Sequence, residues 1–148
     1  MKLTKKGEYA LRAMIALARE QEQPMTITQV ADAQQIPKKF LEQILLALKG
    51  HGLVMSKAGP RGGYVIAPTP PDRPITVGRI LEAVEEPLSQ TTSPPEEGTE
   101  SGTTPTGVAA LLEDIRSYIR RKLETVTLDE LAAHNVPEDQ VEALMWYI

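Results

Sequence analysis

Apolar residues return along this chain at steps of three and four in several stretches and cluster in two shorter ones. Over residues 4–21, Tyr9, Ala10, Ala13, Met14 and Leu17 share one face at helical spacing, which predicts an amphipathic helix stopped by Pro24. A short extended piece at 25–27 then leads into a second, shorter helix over "TQVADAQQ", with Thr28 as its N-cap and Val30 and Ala31 facing inward. The stretch "IPKKFLEQILLALKGHG" predicts a third helix. Pro37 sets its entry, Phe40, Leu41, Ile44, Leu45 and Leu48 form the buried stripe, and Gly50 and Gly52 end it. Residues 53–57 and 64–67 are rich in β-formers, and the Gly59, Pro60, Gly62 and Gly63 between them mark a hairpin tip. Two helices joined by a tight turn, followed at once by a hairpin, describe a winged helix-turn-helix.

The pattern then lapses and returns. Residues 89–107, "SQTTSPPEEGTESGTTPTG", hold no aliphatic, aromatic, histidine or cysteine side chain, so the expectation is a solvated, flexible loop with nothing to order it. From Val108 onward, Leu111, Leu112, Ile115, Ile119, Leu123 and Val126 repeat at three and four residues, an apolar seam of about five turns at ~3.6 residues each. Glu113, Asp114, Arg116, Arg120, Arg121 and Lys122 occupy its other faces. Three helices already fill the first domain, so this seam is expected to meet its counterpart on a second copy of the chain, with Val108, Leu111, Leu112, Ile115, Ile119 and Leu123 at the dimer interface. Beyond it, Thr127 and Glu130 have capping-box spacing for a short helix. "VPEDQVEALMWYI" predicts one more, its Leu144, Met145, Trp146 and Ile148 either docking on the dimer or offering a hydrophobic handle to a partner. The fold class is mainly α with a small β-hairpin wing. Its predicted organisation is a winged helix-turn-helix over 1–67, a connecting segment and helix over 68–88, the loop over 89–107, and the dimerisation and C-terminal helices over 108–148.

Composition sharpens this picture at three points. With 148 residues, 41% of them hydrophobic, the chain suits one compact domain or a small domain with an appended helix. No apolar run approaches the roughly 18 residues that span a bilayer, and the start turns charged again before a signal-peptide pattern develops. A cytoplasmic protein with no membrane partner is expected. The absence of cysteine excludes a disulfide framework, a thiolate zinc finger and a thiol nucleophile.

Charge is divided unevenly. Residues 1–66 carry ten Lys/Arg against five Asp/Glu and residues 67–148 carry six against fifteen, so +5 and −9 make up the net −4. A basic first half is drawn to phosphates, while an acidic second half limits indiscriminate binding. Double-stranded DNA is therefore the expected partner, and the third helix its reader. Lys38 and Lys39 suit phosphate or guanine, Glu42 a cytosine amino group and Gln43 an adenine edge. Glu42 has an alternative in a surface ion pair with Lys38 or Lys39. Lys5 and Lys6 are expected on the DNA backbone, Thr28 belongs to the same DNA-facing set, and Lys57 and Arg61 sit beside small residues at the wing tip, where backbone and arginine approach a duplex closely. Reading "GPRGGY" as a nucleotide loop fails, because no Gly-Lys-Ser/Thr follows and the next segment looks like a strand. No constellation of an enzyme is visible.

"LTKKGEYALRAMIALA", "FLEQILLALKGHGLVMS", "GPRGGYVIA" and "ITVGRILEAVEE" together resemble the Rrf-two family of bacterial winged-helix transcription regulators, over residues 2–133. The resemblance implies an N-terminal winged helix on palindromic operator DNA and a long C-terminal helix that makes the dimer. It also implies that residues 89–107 stand where several members hold an iron-sulfur cluster on three cysteines. Those thiolates are missing here. Glu96, Glu97 and Glu100 offer hard oxygens that suit a divalent metal or nothing, and His51 and His134 are expected to cap helices rather than ligate, so no cofactor and no metal site is expected. Where wings of the family read Ser, any residue, Arg, Gly, this chain reads Ser56, Lys57, Ala58, Gly59, which leaves Lys57 and Arg61 to replace the arginine contact. Two functions fit: a cluster-free DNA-binding regulator answering to a partner protein, a small ligand or its own concentration, and an interaction module whose acidic C-terminal half binds a partner protein. The dimer is with itself or with a related chain that carries the cysteines.

Overall fold

The computed structural model describes residues 3–20, 23–85 and 107–134. Glu96, Glu97, Glu100 and the predicted tail helix with Leu144, Met145, Trp146 and Ile148 lie outside these residues.

Helix α1 (Lys5–Arg19) starts at Thr4, whose side chain accepts from the Gly7 amide, and buries Ala10, Ala13, Met14 and Leu17. Helix α2 (Ile27–Gln34) begins one residue before Thr28. Its N-cap is Thr26, in a reciprocal capping box with Gln29, and this corrects the expected cap: Thr28 is an exposed residue of the first helical turn. Gln35 ends the helix in the left-handed region at φ 51°, Ile36 is buried, and Pro37 opens α3 (Lys38–Gly50). Leu41, Ile44, Leu45 and Leu48 of α3 are all fully buried. Strands β1 (Val54–Lys57) and β2 (Gly63–Ile66) pair antiparallel, Val54 opposite Ile66 and Lys57 opposite Gly63.

The core does not stop at the hairpin. Helix α4 (Val77–Val84) contributes Ile80, Ala83 and Val84, the approach to it contributes Ile75, and a short helix over Leu128–Ala133 adds Leu128, all in one cluster with Met14, Leu17 and Leu45. The segment that sequence presents as a connector is thus part of the packed interior. Leu53 and Val54 close the cluster from the wing side. No polar or charged side chain is buried among the described residues.

Helix α5 (Gly107–Thr125) behaves differently, since none of its residues is buried. It is pinned at its C-terminal end, where Val77 N donates to Val126 O at 3.0 Å and Leu128 N donates to Ile75 O at 2.8 Å, a two-bond antiparallel bridge around Thr76 and Thr127. Val126, expected in the helical seam, is used in that bridge instead. A Cβ on Gly78 would lie 3.0 Å from Leu123 O, so α4 and α5 approach as closely as backbone allows. The Thr127–Glu130 capping box then starts α6 (Leu128–Ala133) as expected.

Candidate nucleic-acid interface

With its stripe at 41, 44, 45 and 48 turned inward, α3 has only one way to face: Lys38, Lys39, Glu42, Gln43, Leu46 and Lys49 are exposed. Two contacts fix the helix's attitude. Arg12 of α1 donates to the Gln34 carbonyl at the end of α2, which holds the turn of the helix-turn-helix. Tyr9 packs edge-on against Phe40 with ring centroids 5.6 Å apart, which ties the start of α1 to the first turn of α3. Lys5 belongs to the same platform. Its ammonium lies 5.6 Å from the Tyr9 ring centre and 3.3 Å from Glu8, which also sits 3.5 Å from Arg12. Arg12 is thereby committed inward, while Lys5 remains largely exposed beside the α3 entrance.

Glu42 forms no ion pair with Lys38 or Lys39 among the described residues, where the ion pairs are Lys5–Glu8 and Glu8–Arg12. The surface salt-bridge alternative for Glu42 therefore has no support in the geometry, and its carboxylate stands on an exposed face with Lys39 and Gln43. Sequence reasoning does not single out Lys49. Its Nζ donates to Ser56 Oγ at 2.8 Å and braces the end of α3 against β1. The signal exists, because Lys49 continues the stripe of Glu42 at two helical turns, but its partner lies across a turn that spacing does not fix.

The wing is built from glycines for steric reasons. The tip closes with Gly62 N donating to Gly59 O at 2.9 Å. Gly63 lies at φ 152°, and a Cβ there would meet Met25 O at 2.4 Å. The close approach exists because Met25 pairs with Tyr64: Met25 N donates to Tyr64 O at 3.0 Å and Tyr64 N to Met25 O at 2.7 Å. Through this third rung the hairpin is sewn to the segment between α1 and α2. Lys57 ends β1 and Arg61 sits in the tip, both exposed. Thr28 is exposed on the first turn of α2, and Lys6 lies on the first turn of α1. Among the described residues no hydrogen bond or ion pair links either to the α3 face.

A cluster does not fit these residues. The chain contains no cysteine, and among the described residues no three His, Cys, Asp or Glu side chains are grouped to hold a metal ion. The His51 and His134 rings each turn back on their own helix, Nδ1 donating to Ala47 O at 3.0 Å and to Glu130 O at 2.9 Å. Both histidines cap, as expected. Among the described residues no helix is long and apolar enough to cross a membrane.

A helix-turn-helix with an exposed, lysine-bearing second helix and a braced basic hairpin beside it defines a winged-helix DNA-binding protein. Comparison with known proteins narrows the class. Residues 3–134 match the Rrf2 (Rrf-two) family, described as an iron-dependent transcriptional regulator, and the chain belongs to that family. It is 37% identical to the HTH-type transcriptional regulator IscR of Aliivibrio salmonicida over 91% of this chain and 79% of that protein. It is 33% identical to the transcriptional regulator CymR of Bacillus subtilis over the full length of both. The solved structure of CymR, the global cysteine regulator of B. subtilis, superposes with a TM-score of 0.75 at 31% identity, covering 92% of this chain and 99% of that one. The protein is a DNA-binding transcription regulator and not an enzyme.

Proposed function

We propose that the protein is a cytoplasmic, sequence-specific regulator that binds an inverted-repeat operator as a symmetric homodimer and holds no iron-sulfur cluster of its own. The observation that carries this is the state of α5. Its Val108, Leu111, Leu112, Ile115 and Tyr118 are between 46% and 66% exposed on a 19-residue helix that buries none of its residues against the rest of the described chain. An apolar stripe of that length needs a cover, and a two-fold copy of itself is the simplest one. Ile119 and Leu123, toward the α4 end of the helix, then form the base of the contact. Pairing through α5 sets two α3 helices about a two-fold axis, so they enter successive major grooves with the wings on the flanks.

Within each half-site, Lys38 and Lys39 take phosphate or guanine, Glu42 accepts from cytosine, and Gln43 addresses adenine. Lys5, Lys6, Thr28, Lys57 and Arg61 contact the DNA backbone or the minor groove. The signal is a partner protein, a small ligand or the regulator's own concentration.

Selection of genomic fragments by the purified protein tests this, with affinity of the recovered fragments measured at two salt concentrations. An enriched inverted repeat with a steep salt dependence is expected. Sequence-blind, salt-sensitive binding would overturn it in favour of an interaction module acting through its acidic C-terminal half.

A further inference from the structure

Leu46 is the most exposed large hydrophobic residue among those described, at 72%, and it lies in the middle of the recognition face. At ~100° per residue Lys39, Glu42, Gln43 and Leu46 follow the i, i+3, i+4, i+7 pattern of a single stripe. Its neighbours on the inward side, Leu45 and Leu48, are wholly buried, so Leu46 is not an edge residue of the core that happens to show. It stands alone on a face that is otherwise Lys38, Lys39, Glu42, Gln43 and Lys49.

Charge decides what covers it. A lone leucine among lysines, on the same domain as Lys57 and Arg61 of the wing, faces a polyanion whose floor is exposed in one place to apolar contact. In the major groove that place is the C5-methyl group of thymine, the one apolar feature among the donor and acceptor edges of the four bases. Resting on the DNA-binding reading above, we propose that Leu46 determines specificity by packing on a thymine methyl group in each half-site. Glu42 and Gln43, a turn earlier, read hydrogen-bonding edges, while Leu46 reads shape. A cytosine at that position presents an amino donor that the leucine cannot satisfy, so the preference is for thymine over cytosine as well as for methyl over hydrogen.

Deoxyuridine isolates the methyl group, since it pairs as thymine does and differs only at C5. The probe is a duplex recovered in the genomic selection, with the thymines of both half-sites replaced by deoxyuridine one symmetric pair at a time. For the wild-type protein, one pair of replacements is expected to weaken binding about four-fold per half-site, the worth of one buried methyl, and so roughly fifteen-fold for the dimer. L46A is expected to bind the thymine and deoxyuridine duplexes equally, with wild-type salt dependence, because every phosphate contact stays in place. Leu46 is no part of the buried core, and circular dichroism with sedimentation verifies that the variant is folded and dimeric. A wild-type protein indifferent to every replacement overturns the proposal while leaving DNA recognition intact, as does an L46A protein that still discriminates. Failure to recover any preferred duplex overturns the DNA-binding reading itself and this one with it.

Discussion

A Cβ on Gly63 would press backbone against backbone, at 2.4 Å from Met25 O and 2.9 Å from Thr26 N, so nothing flexible is present to give way. Gly63→Ala is expected to destabilise the protein by about 1–3 kcal/mol, read as a lower urea midpoint, and to loosen the wing. An unchanged midpoint would mean that the Met25–Tyr64 rung does not hold the hairpin. At the DNA face, replacing Lys39 and Arg61 together by Ala should lower affinity for the operator. The slope of log K against log salt should flatten by about 0.9 for each phosphate that the variant no longer neutralises. Fluorescence anisotropy across a salt series checks this, and a slope equal to wild type would mean that neither side chain meets a phosphate. Side-chain identities and exposed positions of this face are legible in the sequence, because the buried stripe 41, 44, 45, 48 leaves them no other side. What is illegible depends on partners distant along the chain: the Tyr9–Phe40 edge contact, the Lys49–Ser56 brace and the commitment of Arg12 to Gln34. Thr26 rather than Thr28 is a choice between two good capping residues, settled by Gln29 standing three residues after the first and not the second.

Among elements, α1, α2, α3, α5 and the hairpin follow from period and turn chemistry with ends that shift by only a residue or two, and the Thr127 capping box marks where α6 starts. The role of α4 is the hardest to read. Five buried residues in an eight-residue helix mark it as interior, yet spacing alone does not say which core it enters. Helix α5 carries the opposite lesson, since its stripe is legible in the sequence and no described part of the chain covers it. Leu111→Glu with Ile115→Glu should abolish dimerisation in sedimentation equilibrium while leaving the helical circular dichroism of the winged domain intact. A variant that remains dimeric would remove α5 from the interface. Gly78→Val, which forces a branched side chain against Leu123 O, should displace the base of α5 and weaken operator binding more than nonspecific binding, measured as the ratio of the two affinities.

For the molecule as a whole, the absence of thiolate ligands predicts indifference to iron. Anaerobic incubation with iron and sulfide should produce no visible cluster absorption and no change in operator affinity, and a chelator should have no effect. Visible absorption that follows gel-filtered protein would contradict this. The unequal charge of the two halves adds a second whole-molecule property: a basic half is drawn to phosphates while the acidic remainder repels other copies of the chain. The bridge at Thr76 and Thr127 has a consequence of another kind. It holds the start of α4 against the end of α5, so the chain from Val77 to Val126 leaves this point of the packed domain and returns to the same point. Lengthening a stretch of chain closed in this way costs about 0.6 kcal/mol per doubling. In the evolution of such a regulator, an excursion anchored at one place can grow or shrink without the DNA-reading half ever having to refold.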